Sequence, residues 1–184
     1  PNTGRYFSKL INDPESDFTR YIYFYISYLV ENDNLDEAKV ITDEIEFLNS
    51  TLLLSQGKSW IDNGNLQKFK EVFSCKNHND LIAEFLFLIS NLYSAQDNYE
   101  MSNFYLNLAK YLNKDFHAFD TLMAENFYKI NDFNTSKKIY EKLKSKGSAF
   151  KWYSHKQISR ILTQQEMKNE SIILLQKAYD QLKY

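Results

Sequence analysis

Three serines set a ruler along the second half of this chain. Ser102, Ser136 and Ser171 lie 34 and 35 residues apart. Each follows by three positions an apolar or long residue (Tyr99, Phe133, Lys168), and each precedes by four a large one (Leu106, Tyr140, Leu175). A period of this size is the length of one helical hairpin. Such a hairpin cannot bury its apolar face alone, so it must stack on a neighbour of the same kind. Arrays built this way present long surfaces that hold other molecules and rarely carry chemistry.

Composition supports helices over strands. The 184 residues include only four glycines and two prolines, too few to punctuate a β-rich chain, and Asn and Asp are left to make the turns. With 43% hydrophobic and 16% aromatic residues the chain has material for a packed core. Its net charge of −2 supplies no basic excess for phosphate, which argues against a nucleic-acid partner. Cys75 is the single cysteine, so no internal disulfide forms, and both a reducing cytoplasm and an exported setting fit. The most apolar run, Tyr21 to Val30, is much shorter than the roughly 20 residues of a membrane-spanning helix. The chain opens on Pro1 without a charged leader and reads as a piece of a longer protein from which a targeting segment has been removed or never existed.

Residues 1–17 read as the end of a preceding helix or a linker: Tyr6, Phe7, Leu10 and Ile11 have helical spacing before Asn12-Asp13-Pro14. Residues 18–184 read as one array of five hairpins, at about 18–49, 50–80, 81–115, 116–149 and 150–184. Their turns fall at Asn32-Asp33-Asn34, Asn63-Gly64-Asn65, Gln96-Asp97-Asn98, Asn131-Asp132 and Gln165-Glu166. Antiparallel helices approach closely only where side chains are small. Gly57, Ser90, Ala124 and Ser159 meet that need on first helices, and Ala38, Ser102, Ser136 and Ser171 on second helices. Leu29, Trp60, Tyr93, Phe127 and Leu162 recur once per hairpin as the large residues beside them.

In this pattern the chain resembles the tetratricopeptide repeat (TPR) proteins. The likeness spans roughly residues 18–182 and is strongest over 83–116, with 117–143 aligning to it without a gap. Gly57, Tyr93, Gly64, Tyr99, Ala38, Ala109 and Ala178 match the family's small, aromatic and turn positions. Phe69, Ile45 and Leu143 stand where Ala is usual, and Asp120 and His155 where a bulky hydrophobe is usual, which makes the second hairpin the least regular. Units three to five are also similar to the C-terminal half of long bacterial TPR proteins, which are often exported. The resemblance implies an all-α, right-handed superhelix (an α-solenoid) whose first helices line a concave groove for a peptide or protein partner. Carried over by position, the groove residues are Tyr23, Ser27, Leu54, Lys58, Phe87, Asn91, Glu125, Tyr128, Tyr153, Lys156 and Arg160. Aromatic anchors flanked by polar groups suit peptide recognition, and the same aromatics equally suit packing between repeats. The family's clamp for a C-terminal carboxylate is not matched, because Phe87, Tyr153 and Gln157 stand at its basic positions.

Other signals are weak. Cys75 and His78 have zinc-like spacing but lack two further ligands nearby, and no metal or other cofactor is expected. No nucleophile–base pair and no Gly-rich phosphate loop stands out, so no enzyme is expected. Two glycosylation-type tripeptides, at Asn49 and Asn134, are ordinary in an Asn-rich chain. Lys137, Lys138, Lys142, Lys144 and Lys146 form one dense basic run, which suits a helix C-terminus or an acidic partner. The alternative to a peptide-binding scaffold is self-assembly, with the apolar Ile172, Ile173, Leu174 and Leu175 of the last helix pairing between chains as a homodimer.

Overall fold

The computed structural model describes residues 3–11, 19–44 and 51–181. Among these the secondary structure is entirely helical: α1 (Thr3–Ile11), α2 (Thr19–Glu31), α3 (Leu35–Glu44), α4 (Leu52–Asp62), α5 (Gln67–Val72), α6 (His78–Ala95), α7 (Tyr99–Leu112), α8 (Ala118–Lys129), α9 (Phe133–Leu143), α10 (Ser148–Gln164) and α11 (Lys168–Asp180). The chain divides into two compact units, residues 1–81 and 82–184. Ile45 and Leu48, expected at the end of the second helix of the first hairpin, lie outside the described residues.

Five turns close the pairs α2–α3, α4–α5, α6–α7, α8–α9 and α10–α11, and all five have the same geometry. One residue in each takes a positive φ: Asp33 (61°), Gly64 (69°), Asp97 (57°), Asn131 (62°) and Glu166 (65°). Their spacings of 31, 33, 34 and 35 are the period of the chain. The left-handed residue lets two amides bond backwards, the Schellman closure of a helix end. The amides of Asn34, Asn65, Asn98, Asp132 and Met167 donate to the carbonyls of Leu29, Trp60, Tyr93, Phe127 and Leu162 at 2.8–2.9 Å. The amides of the left-handed residues themselves donate to carbonyls three residues back at 3.0–3.3 Å. The five large residues that recur in the sequence are therefore the acceptors that end each first helix.

In every pair but α4–α5, where Leu66 caps α5, the residue after the left-handed one opens the second helix. Asn98 Oδ1 accepts from the Met101 amide (3.2 Å) and Asp132 Oδ1 from the Thr135 amide (3.0 Å). The Thr135 side chain, and then its amide, keep the Asp132 carboxyl below the usual carboxylate range. A two-residue turn capped from both sides leaves no slack, so the helices must run antiparallel.

Twelve residues separate the facing positions of each pair. In the second unit both are small. Ser90 Oγ lies 2.9 Å from Ser102 Oγ and donates to the Ser102 carbonyl (3.1 Å), Ser136 Oγ donates to the Ala124 carbonyl (2.8 Å), and Ser171 Oγ donates to the Ser159 carbonyl (3.1 Å). These residues are buried, so each hydroxyl finds its partner in the neighbouring helix. In the first unit the sizes are redistributed. Gly57 faces Phe69, and a methyl built on Gly57 would lie 3.4 Å from the Phe69 ring. Phe69 is fully buried, edge-on to Trp60 (5.2 Å between centroids) and stacked with Tyr23 (5.9 Å). The absent side chain on one helix makes room for the large one on the other, so the missing Ala is compensated locally.

The first unit has its core in Tyr23, Phe24, Ile26, Leu54, Phe69 and Phe73. The α1 helix closes it through Phe7, 5.3 Å from the Tyr25 ring. Its second hairpin is irregular as expected: α5 has six residues, and Phe73 leaves it in an extended conformation. In the second unit α7 packs on α8, α8 on α9, α9 on α10 and α10 on α11. First helices also touch directly, Phe87 of α6 meeting Phe119 of α8 at 5.4 Å.

Met167 stands where Asn98 and Asp132 cap their helices, with a similar backbone and no side-chain bond. Met167→Asp is expected to stabilise the fold by about 1 kcal/mol, read as a higher midpoint in denaturant with an unchanged slope.

Candidate functional site

Helices α8 and α10 carry a polar and aromatic surface across the join between their hairpins. Arg160 of α10 reaches Glu125 of α8 with both guanidinium nitrogens, Nη1 to Oε2 at 2.9 Å and Nη2 to Oε1 at 3.2 Å. Its guanidinium carbon lies 3.8 Å from the centre of the Tyr128 ring. Gln157, one turn before it, accepts from Nη1 at 3.3 Å. A fork-on-fork ion pair and an aromatic face fix a long side chain that would otherwise swing freely. Burial opposes the charge of Arg160, yet its hydrogen bonds to Glu125, the Glu125 charge and the neighbouring Tyr128 outweigh it and raise its affinity for the proton. Lys156 is exposed one turn earlier on the same helix. Tyr153 is half-buried, edge-on to Tyr140 at 6.0 Å, and burial pushes its hydroxyl above the usual tyrosine range.

The expected groove residues thus divide. Glu125, Tyr128 and Arg160 are brought together, with Lys156 beside them. Four others are core: Tyr23, Ser27, Leu54 and Phe87 are all buried, and Ser27 donates to the Phe73 carbonyl at 3.2 Å. Tyr23, Ser27 and Phe87 are covered by the next hairpin, at Phe69, Phe73 and Phe119 respectively. Asn91 is half-buried and turned onto its own helix, donating to the Phe87 carbonyl at 2.8 Å. Lys58 in the first unit binds Asp43 (2.8 Å) and the Thr42 carbonyl (3.1 Å).

Two residues at the join were missed in the sequence. Gln157 supports Arg160, and its spacing of three from that arginine was the available signal. Asn126 is fully buried in α8 and links three residues of the preceding hairpin. Its amide donates to Ser102 Oγ (2.7 Å) and Asn103 Oδ1 (2.8 Å), and its carbonyl accepts from Ser94 Oγ (2.7 Å). An Asn on an otherwise apolar helix face was its signature.

The departures Asp120 and His155 also sit at joins between hairpins. Asp120 of α8 takes hydrogen bonds from Lys110 of α7 and, at 3.3 Å, His117. His155 is half-buried; burial, then Lys144 and Lys151, hold its imidazole below the ordinary histidine range. An open cleft of about 720 Å³ lies elsewhere, at the α6–α7 turn, with Tyr99, Phe104, Phe127 and Ile130 on its walls. Among the described residues no group of three His, Cys, Asp or Glu is placed to hold a metal ion, and no helix is long and apolar enough to cross a membrane. Comparison with known protein families, curated proteins and solved structures finds no match.

Burial alone would raise the Asp120 carboxyl, but the bonds from His117 and Lys110 prevail and lower it. Its contribution is therefore complete above the unfolded carboxylate pKa of about 3.9 and is lost as pH falls through the lower folded value. Asp120→Asn is expected to cost about 1–3 kcal/mol at pH 7 and to flatten the acid limb of a stability–pH curve below about pH 4.

Proposed function

We propose that this chain is a TPR-like array, a right-handed superhelix whose first helices line a groove that binds a peptide or protein segment. The single observation that carries the reading is the Glu125–Arg160–Tyr128 cluster. It joins two first helices, one hairpin apart, at positions the family resemblance assigns to the groove. The five closures at spacings of 31 to 35 support the array itself. The surface offers a fixed aromatic ring, a fixed planar cation and a free Lys156, all held on helices. Such groups lose little freedom when a partner arrives. Because Glu125 already neutralises Arg160, the partner is recognised by stacking and shape more than by carboxylates. Tyr and Arg on rigid elements are the usual energetic centres of interfaces.

Partners captured with the full-length chain and identified by mass spectrometry supply the ligand for the test. Tyr128→Ala and Arg160→Ala are each expected to weaken it by about 10-fold or more, with the thermal midpoint nearly unchanged for the exposed Arg160 and modestly lower for the half-buried Tyr128. Undiminished binding by both folded variants would sink the groove.

A second reading is favoured at α11. By register Ile172 occupies the position of Asn103, which meets the following hairpin at Asn126, and Tyr179 that of Lys110, which meets Asp120. Both are exposed, at 66% and 51%. An apolar face at a stacking position fits self-association through terminal helices. Its mark is a dimer in sedimentation that strengthens with added sulfate and is lost in Ile172→Asp.

A further inference from the structure

The chain separates its charges along its length. Residues 137–151 carry six lysines against one glutamate, a net +5, in a chain whose total is −2. Residues 31–44 carry six acids against one lysine, a net −5. The first stretch is α9 and the start of α10 in the second unit, and the second is the end of α2, its turn and α3 in the first unit.

Both faces are open to solvent. On the basic side Lys138, Lys142, Lys146 and Lys151 are exposed, and Glu141 is already engaged by Lys144. On the acidic side Asp33, Asp36 and Glu44 are exposed, with exposed Val40 between them; Glu37 accepts from the Tyr25 hydroxyl (2.6 Å) and Asp43 binds Lys58. Helix dipoles explain part of this pattern, since Asp36 and Glu37 open α3 and Lys142 ends α9. They do not explain the rest. Lys151 lies in the first turn of α10, where there is no acid. That charge opposes its own helix dipole, so local helix stability does not account for it.

We propose that the lysine face of α9 and α10 docks the acidic α3 face of a second copy of this chain, head to tail. The two faces are opposite in sign, with the Glu31 side chain buried beside Lys76 (3.9 Å) and Asp33, Asp36 and Glu44 left open, and one kind of contact uses both. Because the donor and acceptor surfaces differ, each copy keeps one of each free, and the association is heterologous: it closes into a ring or extends as a filament. Exposed ion pairs are individually weak, so the contact is a low-affinity one that concentration promotes and salt dissolves. It uses neither the groove nor the apolar face of α11, and its response to salt is opposite in sign to that of an apolar pairing.

The test uses the full chain and two charge-reversed variants, Lys138→Glu with Lys142→Glu, and Asp36→Lys with Glu44→Lys, each checked for helicity by circular dichroism. In sedimentation at low salt the wild type is expected to grow in mass with concentration and to return to a single chain at about 0.5 M NaCl. Each variant alone is expected to stay monomeric, because one of its two faces has lost most of its charge. An equimolar mixture of the two is expected to associate again, since the acidic α3 of the first meets the intact lysines of the second. A mixture that stays monomeric, a wild type that never associates, or association unmoved by salt overturns the proposal. So does a lysine face that binds polyglutamate or anionic vesicles while the wild type remains a single chain, which would assign it to a foreign polyanion.

Discussion

Everything regular in this molecule depends on one backbone event repeated five times. A residue at the end of each first helix adopts the left-handed conformation, and two amides then bond back to carbonyls that would otherwise be orphaned. Only one of the five is glycine. The other four are Asp, Asn and Glu, and each accepts a cost of about 1–2 kcal/mol for a side chain in that region. The cost is borne because the alternative is worse: without the turn, the apolar stripe of each helix would face water instead of its partner. Asp and Asn tolerate the conformation through local hydrogen bonding, and this is why a chain with four glycines can build so many tight turns.

The joins between hairpins of the second unit are held in a different way from the hairpins themselves. Inside a hairpin, small residues bring helices together and serine hydroxyls find backbone carbonyls across the gap. Between hairpins, polar side chains from one reach into the next: Asn126 to Ser94, Ser102 and Asn103, Asp120 to Lys110, Arg160 to Glu125. Apolar stacking is tolerant of register, whereas a buried amide with three partners is satisfied in one arrangement only. The polar joins therefore specify which hairpin face meets which, and leave the bulk of the burial to Phe87, Phe116 and Phe119.

The hairpins were readable from the sequence because small residues and large acceptors recur at fixed offsets. Leu29, Trp60, Tyr93, Phe127 and Leu162 mark the turns without error, since any residue that both fills the core and ends a helix must recur with the repeat. The early hairpins were harder. Their spacings are shorter, and Phe69 breaks the small-residue rule until its partner Gly57 is seen opposite it. The surface was less readable. A position within a repeat predicts which way a side chain leaves its helix, but not whether a neighbour covers it. Tyr23, Leu54 and Phe87 share their repeat position with the exposed Lys156, and Tyr23 and Phe87 are covered by Phe69 and Phe119 of the next hairpin. Asp120 and His155 looked like defects in an apolar pattern, and for Asp120 the explanation, a lysine supplied by another helix, is not visible in one dimension.

The charge distribution adds a constraint that packing does not require. A fold of this kind is stable with lysines and carboxylates interspersed, and interspersed charges avoid self-repulsion along a helix. Here Arg160 is neutralised within its own surface by Glu125, while the lysines of 137–151 and the acids of 31–44 are gathered apart. Like charges so gathered repel one another at close range, and the repulsion is relieved in part by partners within the chain, Glu141 for Lys144 and Lys58 for Asp43, and by salt. The neutral cluster on α8 and α10 suits recognition by shape, and the segregated faces suit recognition by field. One chain thus presents two surfaces of different physical kind, and salt separates them: screening weakens the second and leaves the stacked, paired arginine of the first largely untouched.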